Sequence, residues 1–124
     1  MKKLFCAAII LVVAVSFAKA QSSKPYNYKL DGPFTSIQTF KVNGVCDMCK
    51  HTIESALKKS PAVYSADWDA DSKLLLVKFN RLKTTPAKIE QLVASTGHDT
   101  QHLKADANAY NSLPDCCKYE RKSI

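Results

Sequence analysis

From residue 35 onward the chain alternates, then cycles, then alternates again. Residues 35–43 place Phe40 and Val42 at period two, the mark of a half-buried strand. Cys49, Ile53, Ala56 and Leu57 then recur at i, i+4, i+7 and i+8, which is one apolar face of a helix beginning near Asp47. Lys50, His51, Glu54, Lys58 and Lys59 lie opposite, and Ser60-Pro61 stops the helix. Residues 62–69 set Tyr64, Ala66 and Trp68 on one face. Asp69-Ala70-Asp71-Ser72 makes a turn, and residues 73–80 point Leu75, Val77 and Phe79 inward and Lys78 outward, so a β-hairpin with one buried face is predicted. Thr85-Pro86 supplies an N-cap and a first-turn proline. Ile89, Leu92, Val93 and Thr96 follow at helical spacing until Gly97 ends the run. Residues 98–103 read as a short closing strand.

The order strand, helix, strand, strand, helix, strand predicts an α+β domain over residues 35–104. Two helices on one face of a four-stranded antiparallel sheet, the ferredoxin-like βαββαβ sandwich, accounts for one buried and one wet sheet face. Residues 105–124 form a C-terminal extension containing Tyr110, Leu113, Pro114 and the vicinal pair Cys116-Cys117. Residues 21–34, polar with two prolines, read as a linker or arm, in which the alternation of Tyr26, Tyr28 and Leu30 could add an edge strand.

The first 20 residues change the picture of where the protein works. Lys2 and Lys3, an apolar run over residues 4–17 and Ala18-Lys19-Ala20 form a signal peptide with its cleavage site. Fourteen residues are too few to span a bilayer, which takes about 20. An exported protein, periplasmic or secreted and without stable membrane anchoring once the signal is cleaved, is therefore expected, and Cys6 leaves with the signal. Loss of Lys2, Lys3 and Lys19 takes the formal net charge from +7 to +4. The remaining lysines are scattered rather than striped, which argues against nucleic acid as a partner.

Four cysteines remain: Cys46, Cys49, Cys116 and Cys117. An even count in an exported chain ordinarily suggests disulfides. Two tight pairs are a poor framework for stapling a fold, and adjacent cysteines bridge each other only with strain. Ligand or redox use is the better reading. Cys46-Asp47-Met48-Cys49 stands where a strand hands over to a helix, so both sulfurs converge on a helix N-terminus, the end that favours negative charge. Thiolates there have lowered pKa values and serve as nucleophiles or metal ligands. Two suffice for Cu(I) or Hg(II), whereas Zn(II) seeks four ligands.

The run from Val42 to Cys49, with Ile53, Leu57, Val63, Val77-Lys78-Phe79, Ile89, Leu92 and Gly97 downstream, resembles the heavy-metal-associated domain family over about residues 35–104. In layout the chain is similar to periplasmic mercuric-ion-binding proteins and copper chaperones. The resemblance implies a non-enzymatic carrier in which Cys46 and Cys49 bind one soft ion, Cu(I) before Hg(II) or Zn(II), and pass it by ligand exchange to a membrane metal transporter or efflux system. Gly44 departs from the family, which commonly has a methionine there, packed beneath the loop. His98 follows Gly97 in the loop that in this family lies beside the metal loop, and is a candidate third ligand. Cys116 and Cys117 are candidate auxiliaries, folding back on the first pair or forming a second one. Lys50 and the helix N-terminus are expected to steady an anionic bis-thiolate.

Rival readings attach to the same residues. A thiol-disulfide oxidoreductase also uses C-x-x-C at a helix start. It would need a helix and a parallel strand between the cysteines and Thr85-Pro86, where this chain has a hairpin pattern. An interaction domain with oxidised thiols is the third class. His51 and His102 read as solvent-facing, Met48 as packing or surface, and Asp67, Asp69 and Asp71 as hairpin turn rather than calcium loop.

Overall fold

Three of the four expected strands form. In the computed structural model, which describes residues 32–122, the elements are β1 (Thr35–Lys41), α1 (Asp47–Lys58), β2 (Val63–Trp68), β3 (Leu74–Asn80), α2 (Pro86–Ser95) and α3 (Ala107–Asn111), followed by a single 3-10 turn, Asp115–Cys117. The signal peptide with Cys6, and the alternating Tyr26, Tyr28 and Leu30 of the arm, lie outside the described residues. The sheet runs β1-β3-β2, antiparallel throughout. Phe40, Val42, Leu75, Val77 and Phe79 turn one face toward Ile53 and Leu57 of α1 and Ile89 and Val93 of α2, and all are essentially buried. Among the described residues no helix is long and apolar enough to cross a membrane.

The fourth strand shrinks to one isolated bridge, Val42 with Thr100. Its backbone bonds flank that bridge: the N–H of Asn43 donates to the carbonyl of Asp99 (2.9 Å), and that of Gln101 to Lys41 (2.9 Å). The ladder then ends for a local reason. The Lys41 N–H takes its acceptor from the Gln101 side chain (2.8 Å) rather than from main chain. Thr100 closes a turn onto the Leu103 carbonyl (2.8 Å), and buried Glu90 of α2 holds the turn by accepting from the Thr100 hydroxyl and the His102 N–H. A polar α2 side chain thus bends the chain away from β1.

The second departure lies in β2. Tyr64 was expected inward with Ala66 and Trp68, yet it is 40% exposed while Val63 is buried. The register against β3 shifts between Val63 and Ser65. The extra residue of this bulge moves the alternation by one place, so Val63 faces inward on one side of it and Ala66 and Trp68 on the other.

The extension is part of the fold. The Tyr119 hydroxyl is buried between two backbone groups of the loop after α2, accepting from the Asp99 N–H (2.7 Å) and donating to the Gly97 carbonyl (2.9 Å). Arg121 forms a fork on the Asp99 carboxylate (3.0 and 2.6 Å) and lies over the Tyr110 ring. Gly97 is required beneath this lock. Its φ is 98°, and an added Cβ would stand 2.7 Å from the Ala109 carbonyl of α3.

Two predictions follow from the lock. Gly97→Ala should lower stability by about 1–3 kcal/mol, through left-handed backbone strain and the clash with α3. A urea midpoint equal to that of the unsubstituted protein would refute the close approach. The second concerns pH. His98 is fully buried, and burial pulls its pKa down to about 4, with Asp99 opposing. The unfolded chain therefore takes up a proton on His98 from about pH 6.5 downward while the folded chain does not. Stability should be at its full value above that pH and fall by up to about 3 kcal/mol toward pH 4. Asp99 follows at lower pH. Burial would raise its pKa, but Arg121 and the Ala105 N–H outweigh burial and hold it below the ordinary carboxylate range. Its contribution is lost as pH falls through that lowered value. Urea titrations at pH 7 and 4.5 check the first window, which His98→Gln should flatten.

Candidate metal centre

Cys46 occupies the N-cap of α1 in extended conformation, and Cys49 sits in the first turn. No side chain caps this helix end, so its free N–H groups face the thiols. The sulfurs of Cys46 and Cys49 are 4.0 Å apart. Their surroundings differ: Cys49 is fully buried and its sulfur accepts the Val45 N–H (3.5 Å), whereas Cys46 reaches the surface. The backbone N–H groups of Cys49 and Met48 lower the pKa of Cys46 below the ordinary thiol range. That thiol is the nucleophilic member of the pair.

Gly44 has a packing cause. A Cβ there would stand 2.8 Å from the Trp68 indole and 3.2 Å from the Cβ of Cys49. Trp68 is completely buried, donates its indole N–H to the Val42 carbonyl (3.1 Å), and fills the space beneath the loop. A large β2 residue supports the loop from below, and the loop residue above it must be small.

Both tail cysteines come back to this loop. The sulfurs of Cys46, Cys116 and Cys117 all lie within 4.8 Å of one another. The Cys116 carbonyl accepts from the Cys46 thiol (3.5 Å) and the Cys117 carbonyl from the Cys49 thiol (4.0 Å), so the 3-10 turn passes directly over the pair. Cys117 is buried, and burial together with the adjoining thiols of Cys49 and Cys46 pushes its pKa far above the usual thiol value. Cys116 is exposed, its sulfur 3.7 Å from the thioether of Met48.

His98 stands apart from that three-sulfur group. The Thr96 hydroxyl donates to the Val93 carbonyl (2.6 Å) and so accepts from His98 Nδ1 (2.9 Å). This leaves Nε2 as the lone-pair nitrogen of a neutral ring, buried and without a hydrogen-bond partner. The ring stacks on Tyr119, centroids 6.1 Å apart, so its place is in the lock that carries the tail. Lys50 does not serve the thiols. Its ammonium is held by Glu54 (2.7 Å), Asp67 and the Trp68 carbonyl (2.7 Å), so its charge is taken up by two carboxylates. His51 and His102 are exposed, as expected, and His102 pairs with Glu90.

A thioredoxin-like reading finds no support in the topology. α1 is followed by an antiparallel hairpin, and Pro86 opens α2 behind a Thr85 cap. The sequence places the tail thiols nowhere in particular. The signal for their return lies in Tyr110, Leu113 and Tyr119, apolar positions in an otherwise polar tail that become part of the core.

Residues 39–99 match the family described as "Heavy-metal-associated domain". The copper chaperone CopZ of Staphylococcus saprophyticus subsp. saprophyticus is 31% identical over 65 residues, which is 52% of this chain and 96% of that protein. CopZ of Staphylococcus epidermidis is 32% identical over 62 residues, 49% of this chain and 91% of the relative. Among solved structures, a CopZ metallochaperone aligns with a TM-score of 0.51 at 27% identity, covering 52% of this chain and 98% of that one. Oxidised MerP from Ralstonia metallidurans CH34 aligns with a TM-score of 0.51 at 27% identity, covering 53% and 93%. The matched family region stops at Asp99, short of Cys116 and Cys117. With nearly the whole of these relatives matched and the paired thiols at the start of α1, the chain belongs to the heavy-metal-associated domain family.

Proposed function

We propose that this protein is an exported, non-enzymatic carrier of one soft metal ion, Cu(I) before Hg(II) or Zn(II), with Cys46 and Cys49 as its principal thiolate ligands. The observation that carries the reading is the sulfur pair 4.0 Å apart at the uncapped N-terminus of α1, one member buried and the other open to solvent. The buried thiolate holds the ion, and the surface thiolate marks both the side from which an incoming thiolate reaches the ion and the ligand that leaves first. Thiolates suit Cu(I) and Hg(II) by softness. Similarity to two CopZ proteins described as copper chaperones supports copper, and similarity to MerP keeps mercury as the alternative.

Transfer is an exchange of thiolate ligands. A partner thiolate adds to the ion as one carrier thiolate leaves, so no electrons move and each sulfur that leaves the ion recovers a proton from water. The partner is a membrane metal transporter or efflux system offering such thiols, and Val45 and Met48, each about half exposed beside Cys46, give the carrier an apolar rim there. The signal-like pattern of residues 1–20 supports an exchange outside the cytoplasm.

Anaerobic titration of the reduced protein with Cu(I), Hg(II) and Zn(II), read by native mass spectrometry, tests the reading. One ion per chain is expected for Cu(I) and Hg(II), with affinity falling at least about 100-fold in Cys46→Ser or Cys49→Ser, since each removes one arm of a chelate. Absence of stoichiometric binding of any of the three ions would reject it.

A further inference from the structure

The family match ends before the tail, yet the tail is what stands over the thiols. The spacing of the loop pair says what that position is for. At a metal–sulfur bond of about 2.3 Å, two sulfurs 4.0 Å apart subtend about 120° at an ion between them. A linear two-coordinate ion would need them about 4.6 Å apart at the same bond length. The loop in its thiol form thus holds its sulfurs closer than a linear two-coordinate ion takes them, which leaves one side of a bound ion open to a further sulfur.

Cys117 is the residue positioned to supply it. Its sulfur lies within 4.8 Å of that of Cys46, its carbonyl faces the Cys49 thiol at 4.0 Å, and it is wholly buried. Cys116 lies within the same 4.8 Å of Cys46 and Cys117 but is exposed, and its sulfur meets Met48 at the rim. Resting on the carrier reading above, we infer that the loaded site is a three-thiolate site made by Cys46, Cys49 and Cys117, with Cys116 an outer thiol that exchanges the ion with its surroundings. The cargo class narrows accordingly to thiophilic ions that accept three sulfur donors: Hg(II), Cu(I) and trivalent arsenic.

The tail is already ordered for this role. Tyr119 is fastened to Gly97 and Asp99, and Arg121 to Asp99, so ordering of the third ligand is part of folding and adds little to the cost of binding. In the thiol form the carbonyls of Cys116 and Cys117 receive the Cys46 and Cys49 S–H groups. Loading removes those protons, and the same segment exchanges carbonyl contacts for a sulfur bond. From outside to inside the sulfurs run Cys116, Cys46, then Cys49 and Cys117, a graded path from exposed to buried.

Full chain carrying Cys6→Ser, reduced and loaded with Hg(II), provides the direct measurement through the number of sulfur neighbours in the X-ray absorption spectrum of the metal. Three are expected. Cys116→Ser should keep three, which leaves Cys117 as the third donor, and should slow release of the ion to added glutathione. Cys117→Ser should drop to two. Arsenite gives a second arm: As(OH)3 and three thiols form three As–S bonds and release three waters. The unsubstituted tail should thus bind it, with Cys117→Ser losing about 100-fold or more. Two sulfurs around Hg(II) with Cys116 and Cys117 both in place, or three persisting in Cys117→Ser, overturns the assignment. If Cys117→Ser fails to fold, the counts in the other two proteins decide. A two-sulfur result with tight Hg(II) binding leaves the carrier reading standing and removes this one alone.

Discussion

The hydroxyl of Tyr119, lodged between the Gly97 carbonyl and the Asp99 N–H, ties together parts of the chain that share no secondary structure. The loop it grips follows α2 and carries the remnant of the fourth strand. Beside it the Asp99 carboxylate, nearly inaccessible to water, is matched by Arg121 and by the Ala105 N–H. Such a carboxylate is costly to bury alone and tolerable when paired and hydrogen-bonded. Asp99 therefore demands the tail as much as the tail demands Asp99. Two residues before Tyr119 the chain crosses the metal loop, so the lock fixes where Cys116 and Cys117 stand.

Beneath the same loop the support is apolar. Trp68 packs under Gly44 and against Cys49, and its one polar atom is satisfied by Val42 at the end of β1. The loop is thus clamped between an indole below and a 3-10 turn above. A ligand pair held from both sides keeps its sulfur separation, and for metal binding that separation matters twice. It sets the coordination number the ion finds, and it limits how far the pair can follow an ion that prefers another geometry.

Much of this fold was legible in the residue pattern, and what escaped did so for identifiable reasons. α1 follows from the spacing of Cys49, Ile53 and Leu57, and α2 from Thr85-Pro86 with Ile89 and Val93. Those signals are local and repeated. The inward placing of Tyr64 failed because a bulge shifts the alternation by one place, which a strict period of two cannot show. The closing strand failed because Glu90, one turn into α2, captures Thr100 and His102, a contact between residues at least ten apart. Of the site, Cys46 and Cys49 were readable from their position at a helix start. Lys50 was misplaced because its partners Asp67 and Trp68 belong to β2. The return of Cys116 and Cys117 rests on Tyr119 and Arg121 reaching back 20 and 22 residues to Asp99, and no periodicity announces two isolated side chains.

The four free thiols pose a physical problem that the architecture itself answers in part. In an oxidising compartment paired thiols are oxidised unless something holds them. Cys116 and Cys117 resist bridging each other, because an S–S bond between neighbours needs geometry that a trans peptide denies. Cys49 and Cys117 are buried, and burial together with the adjoining thiols raises the pKa of Cys117. Cys46 combines solvent access with a lowered pKa, and its thiol is directed at the Cys116 carbonyl. Folding the tail back over the loop brings the sulfurs of Cys116 and Cys117 within 4.8 Å of Cys46 and so raises the local concentration of sulfur at the helix start.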